Sequence, residues 1–275
     1  MNPEASEAAM RPVSITRLHR DGGADQLEDI TAREEPLEIR VEGRSVAVVM
    51  RTPGHDVELT AGFLVTEGVV QKPRDVLEIT QCPVTTDSKG NIVDVLLGGA
   101  VVNWESLTRH VFSASSCGLC GKTSIDSVFQ KFPAVVGDWK VPAEVLWTLP
   151  DKLRHAQETF SKTGGLHASA IFDLDGNLVV LREDVGRHNA LDKVLGYGLL
   201  NGLLPFDQHI LLVSGRVSFE IIQKALAGGI ALVAAISAPS SLSVEFAETA
   251  NQTLVGFLRG GTMNVYAHPR RIESK

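Results

Sequence analysis

A chain of 275 residues, 44% hydrophobic and 21% charged, has the make-up of a globular protein with one large domain or two smaller ones. Its formal net charge of −7 argues against a general nucleic-acid binder, which carries a basic field, while leaving room for a local basic pocket. Three cysteines are too few for a disulfide scaffold and point to a reducing, cytoplasmic setting. Met1 to Arg20 lacks an apolar signal-peptide core, and the longest weakly polar run, Gly228 to Pro239, is shorter than the ~20 residues that cross a bilayer.

Residues 1 to 25 read as a flexible tail of small and charged residues with a loop signal at Asp21-Gly22-Gly23. Residues 26 to 112 read as a small α+β domain. Pro36 to Val41 alternates at period two, Glu42-Gly43 marks a turn, and Ser45 to Met50 is a second strand. A helix opens at His55-Asp56 and runs through Glu67 to Gly68, and Val76 to Thr80 and Ile92 to Leu97 are further strands.

Residues 113 to 141 read as a cysteine loop and a linker helix. Ser115-Ser116-Cys117-Gly118-Leu119-Cys120-Gly121-Lys122 holds two of the three cysteines among small residues, which leave the thiols reachable. Thr123-Ser124-Ile125-Asp126 matches a capping box, so a helix begins near Ser124, after the second cysteine. Four readings compete. Structural zinc takes four ligands, but Cys82, His110 and His167 offer no second paired spacing to complete the set. A redox dithiol sits at the start of a helix that follows a strand, whereas this motif precedes its helix in a serine-rich loop. Inert buried cysteines fit poorly in a glycine-rich surface loop. A sulfur carrier holds sulfur as a persulfide on an exposed thiolate, which Lys122 and the helix N-terminus favour.

From 142 to 275 the pattern becomes regular. A helix covers Ala143 to Lys162, irregular at Pro150, and ends at Gly164-Gly165. His167 to Phe172 and Leu178 to Arg182 form a hairpin about Asp175-Gly176. Then follow a helix from Arg187 to Gly196, a strand Ile210 to Ser214, a helix Phe219 to Ala227, a strand Leu232 to Ser237 and a helix Ser243 to Thr253. Two last strands run Val255 to Arg259 and Met263 to Ala267. Alternation of this kind demands a mostly parallel sheet, with ligands bound beyond the carboxyl ends of its strands.

Three strand-to-helix junctions end on that edge: Arg182 to Asn189, Ser214-Gly215-Arg216, and Ser237 to Ser241. Each precedes a helix N-terminus, whose free N–H groups favour phosphate, and Arg187 and Arg216 add bidentate donors. Caps and turns use the same residue types, so His167, Asp184 and His188 read equally as satisfying backbone groups. Gly260-Gly261 either turns the final hairpin or lets backbone approach a ligand beside Arg259. Asp173 to Asn177 resembles part of a calcium loop but lacks the later Glu, and no metal is assigned.

Ser116 to Gly121, Thr163-Gly164-Gly165-Leu166-His167-Ala168, Arg182 to Ala190, Ser214-Gly215-Arg216 and Gly256-Phe257-Leu258-Arg259 occur together and in order, from about residue 30 to the C-terminus. In this the chain resembles the formate dehydrogenase accessory sulfurtransferase family, FdhD. The resemblance implies a sulfur carrier that takes sulfur from a cysteine desulfurase and passes it to the bis(molybdopterin guanine dinucleotide) molybdenum cofactor. The cofactor is then inserted into formate dehydrogenase. It implies Cys117 as the persulfide cysteine and Cys120 as its partner. Phe257, Leu258, Arg259, Gly260, Gly261 and Thr262 match the cofactor-binding segment, joined at the strand ends by Arg187, His188, Ser214 and Arg216. A homodimer also fits the resemblance.

The expected fold is α/β, α+β overall: a small N-terminal α+β domain, then a cytidine-deaminase-like domain with a mixed, mostly parallel sheet. A zinc deaminase would carry His-x-Glu after the hairpin and Pro-Cys-x-x-Cys at the next helix. Here those positions read His188-Asn189-Ala190 and Ser214-Gly215-Arg216-Val217, which disfavours deamination. The alternative to an active sulfurtransferase is a chaperone that binds the cofactor without covalent chemistry.

Overall fold

Period-two alternation builds the first of two cores. In β3 (Glu35–Val41), Leu37, Ile39 and Val41 are fully buried while the residues between them stay half-exposed. The strand pairs antiparallel with β4 (Arg44–Arg51) and parallel with β6 (Ile92–Leu97), and β5 (Val76–Gln81) completes a sheet of order β4-β3-β6-β5. Helix α1 (Asp56–Thr66) lays Leu59, Phe63 and Leu64 on this sheet. A short helix, α2 (Trp104–Leu107), adds Leu107. The computed structural model describes residues 8–83, 90–99, 102–107 and 132–274. The cysteine loop with Cys117 and Cys120, and the helix expected from Ser124, lie outside them.

The segment read as a tail carries a strand instead. Met10–Leu18 (β1) pairs antiparallel with Ala24–Ala32 (β2), turning at Gly22 in the left-handed region with φ 94°. Its backbone pairing is continuous, but most side chains are exposed on both faces. An element with no buried face has no apolar period to read.

A two-residue strand β7 (Val141–Pro142), paired with β14 (Ile272–Glu273), leads into α3 (Ala143–Ala156). The expected helix to Lys162 is two helices, and the break is not at Pro150, which lies inside α3. It falls at Gln157, after which α4 runs Glu158–Thr163. The cause is remote in sequence: the Glu183 carboxylate accepts the backbone N–H groups of Thr159 at 2.9 Å and Phe160 at 2.8 Å, capping a new helix start. Gly164 ends α4 in the left-handed conformation with φ 65°.

The second sheet has order β13-β12-β11-β10-β8-β9. Its strands are β8 (His167–Phe172), β9 (Leu178–Asp184), β10 (Ile210–Val213), β11 (Leu232–Ala235), β12 (Thr253–Arg259) and β13 (Thr262–Ala267). Parallel pairing joins β10, β11 and β12, while β8 is antiparallel to both β9 and β10. Thus β9 to β12 all run one way, with β8 and β13 reversed: a mixed α+β sheet whose strands are mostly parallel in direction. Both faces are covered. Leu211 and Val213 pack with α5 (Arg187–Leu200) and α6 (Phe219–Ala227), together with Ala247 of α7 (Ser241–Ala250). Ile210 and Leu212 pack beneath Leu146, Leu149 and Leu153 of α3. This two-sided cover explains why the central strands read as unbroken apolar runs. Among the described residues, no helix is long and apolar enough to cross a membrane.

Candidate anion-binding site at the strand ends

The carboxyl ends of β12, β11 and β10 lie side by side, and the reversed β8 begins at the same edge, where β9 ends beyond it because His167 pairs with Asp184. A Cβ placed on Gly215 would stand 3.3 Å from Nδ1 of His167 and 4.0 Å from Cδ of Arg187, so the Ser214-Gly215-Arg216 turn closes directly on both residues. Val217 donates to Ala238 O at 3.2 Å and accepts from Ser240 N at 3.0 Å, joining the second junction to the third. Phe257 N donates to Ser237 O at 3.1 Å, and a Cβ on Gly256 would meet Pro239 Cδ at 2.9 Å, which brings in the end of β12. The three junctions and the Phe257 segment therefore form one continuous edge.

Two of the helix starts on this edge differ in chemistry. At α7 the Ser240 hydroxyl accepts the Ser243 N–H at 3.3 Å, an ordinary cap. At α5 the N-cap is Gly186, which has no side chain to offer. The first turn of α5 contains no acid and opens with Arg187 and His188. Positive charge is disfavoured at a helix N-terminus, so the Arg187 guanidinium there costs α5 stability that a bound anion would restore. Nε of Arg187 is buried without a hydrogen-bond partner.

His188 is nearly buried and pairs with Glu220 of α6, Nε2 to Oε2 at 2.7 Å, with the Ser218 hydroxyl 3.4 Å away. Glu220 was not legible as a site residue, because an acid in the first turn of a helix is ordinary dipole chemistry. Half-buried His167 is held below the ordinary imidazole range by its burial and by Arg187, His188 and Arg216, against an opposing pull from Asp184. It is therefore neutral at neutral pH, able to accept a proton or donate one hydrogen bond.

Other expected site residues make contacts within the protein. Asp184 is completely buried. Its carboxylate accepts from Thr52 N at 3.0 Å, Gly186 N at 2.8 Å and Asn189 Nδ2 at 3.0 Å, and pairs with Lys193 Nζ at 2.7 Å. The Ser214 hydroxyl accepts the Ala168 N–H at 2.9 Å. Leu258 is fully buried in the core with Val255 and Phe172. Gly260 and Gly261, at φ 58° and 75°, turn the β12–β13 hairpin, and the Thr262 hydroxyl donates to Arg259 O at 3.2 Å. Phe257 is different. It is a non-glycine residue at φ 52°, which costs of order 1–3 kcal/mol and is concentrated at functional sites. The exposed Arg259 guanidinium stacks 5.4 Å above its ring.

Residues 32–273 match the model of the FdhD/NarQ family. A protein from Streptomyces coelicolor named sulfur carrier protein FdhD is 50% identical over 260 residues, which cover 92% of each chain. A protein of the same name from Sulfolobus acidocaldarius is 44% identical, over 96% of this chain and 99% of its own. A crystal structure from Desulfotalea psychrophila, described as a candidate formate dehydrogenase accessory protein, superposes with a TM-score of 0.76 at 25% identity. That match covers 96% of this chain and all of the other.

Proposed function

This chain belongs to the FdhD/NarQ family, and from that premise we propose that it is a sulfur carrier in formate dehydrogenase maturation. Its cargo is a molybdenum cofactor bearing a guanine dinucleotide. Cys117 takes a sulfane sulfur from a cysteine desulfurase: its thiolate attacks the donor's persulfide, the donor leaves as a thiolate, and Cys117 holds the sulfur for the cargo. Cys120, three positions on in the sequence, is the second thiol and assists release. The pyrophosphate of the cargo lies along the strand-end edge, where Arg187, Arg216 and Arg259 offer charge-assisted hydrogen bonds and Phe257 a ring face.

The observation that carries this reading is the start of α5. Arg187, its Nε buried without a hydrogen-bond partner, opens α5 after a glycine N-cap, with the Ser214-Gly215-Arg216 turn folded against it and His167. Titration with guanosine diphosphate, as a probe for the nucleotide half of the cargo, tests it. The intact protein binds, and Arg187→Ala loses a charged hydrogen bond of about 1.5–3 kcal/mol, a weakening of roughly tenfold or more. Unchanged affinity in that variant removes Arg187 from the site and the anion reading of α5 with it.

A further inference from the structure

The turn that aims Arg187 and His188 is held by a residue of the other sheet. Thr52, which follows β4 and is 2% exposed, meets it with all of its polar groups. Its N–H donates to Asp184 Oδ2 at 3.0 Å, its hydroxyl accepts the Val185 N–H at 3.1 Å, and its carbonyl accepts from Lys193 Nζ at 2.9 Å. Asn189 Nδ2, in the first turn of α5, reaches the Met50 carbonyl in β4 at 2.8 Å. The backbone after Thr52 is bent to allow this approach, with Gly54 at φ 103° and His55 at φ 59°. On the receiving side there is no slack. A Cβ on Gly186 would lie 2.8 Å from the Asn189 amide nitrogen and 3.4 Å from Asp184 Oδ1. Val185 and Gly186 are the two residues before Arg187, so the Thr52 hydroxyl fixes the backbone immediately upstream of Arg187 and His188.

We propose that Thr52 is a positioning residue for the strand-end anion site: by holding the Val185 N–H, it lets the N-terminal sheet set where Arg187 and His188 point. This deepens the functional reading above and rests on it. Losing the acceptor leaves a half-buried N–H without its partner, and the turn relaxes toward water. Sub-ångström displacement of an aimed guanidinium is costly for binding.

The test is calorimetric titration of guanosine diphosphate into the full chain and four variants, with melting temperatures recorded for each. Thr52→Val keeps the volume but removes the acceptor, and it weakens binding by about tenfold. Thr52→Ala removes the same acceptor with a smaller side chain and weakens binding to a similar degree. Thr52→Ser keeps the hydroxyl and retains affinity. Thr66→Val cuts a different tie of the N-terminal unit, the hydroxyl contacts to Asp192 and Lys224. It lowers the melting temperature while affinity stays unchanged. Wild-type affinity in folded Thr52→Val or Thr52→Ala, or equal weakening in Thr66→Val, overturns the proposal. If the unaltered protein does not bind the probe, the strand-end reading falls and the positioning role falls with it.

Discussion

Gly62 of α1 and Gly196 of α5 cross so closely that neither position has room for a side chain. A Cβ on Gly62 would lie 1.7 Å from Asp192 O, and one on Gly196 would lie 1.8 Å from Glu58 O, both backbone atoms that cannot swing away. The N-terminal sheet and the strand-end edge are thus joined helix backbone to helix backbone. Gly62→Ala or Gly196→Ala forces α1 and α5 apart. Each is expected to cost about 3 kcal/mol or more, measured by urea unfolding, which exceeds what alanine gains in helix propensity. A neutral or stabilising effect would contradict the tight crossing.

Acid should weaken the same junction through Glu58. Its burial alone would raise the carboxyl pKa, but hydrogen bonds and charge from Arg182 and His55 outweigh this and bring it from 4.5 to about 2. A carboxylate depressed in the folded state contributes stability that is full above 4.5 and is lost as pH falls through about 2. In urea unfolding at stepped pH, wild type and Glu58→Gln therefore differ most near neutrality and converge in strong acid. A gap of constant size across that range would show that the ion pair does not supply the difference.

Arg259 and Phe257 make a separable prediction. The guanidinium is exposed and stacked on the ring, so truncation disturbs little of the fold. Arg259→Ala should leave thermal stability within about 0.5 kcal/mol of wild type. It should weaken guanosine diphosphate binding and flatten its salt dependence, because one phosphate-facing charge is gone. Arg259→Lys keeps the charge but not the planar fork, and should fall between the two. Equal affinity in all three would place Arg259 outside the site.

What could be read from the chain follows from physical range. β3, β6, β8 and α6 were legible because each buries one face or both, and burial writes a period into the sequence. The strand-end junctions were legible because glycine, serine and arginine cluster at the ends of those periods. Contacts between distant segments were not. The break at Gln157 depends on Glu183, and the role of Asp184 depends on Thr52, 132 positions earlier. The β1–β2 hairpin escaped because pairing with little burial leaves no apolar period in the sequence. Glu220 escaped because its partnership with His188 joins two helices that are separate in the sequence.

The central claim is that Cys117 carries the sulfur, and one measurement bears on it most directly. The protein is incubated with a cysteine desulfurase and cysteine, then digested and analysed by mass spectrometry alongside Cys117→Ala. The account predicts a gain of about 32 Da on the peptide that contains Cys117, removed by reductant and absent from the variant. No adduct on Cys117, or a Cys117→Ala protein that still supports active formate dehydrogenase, would contradict it.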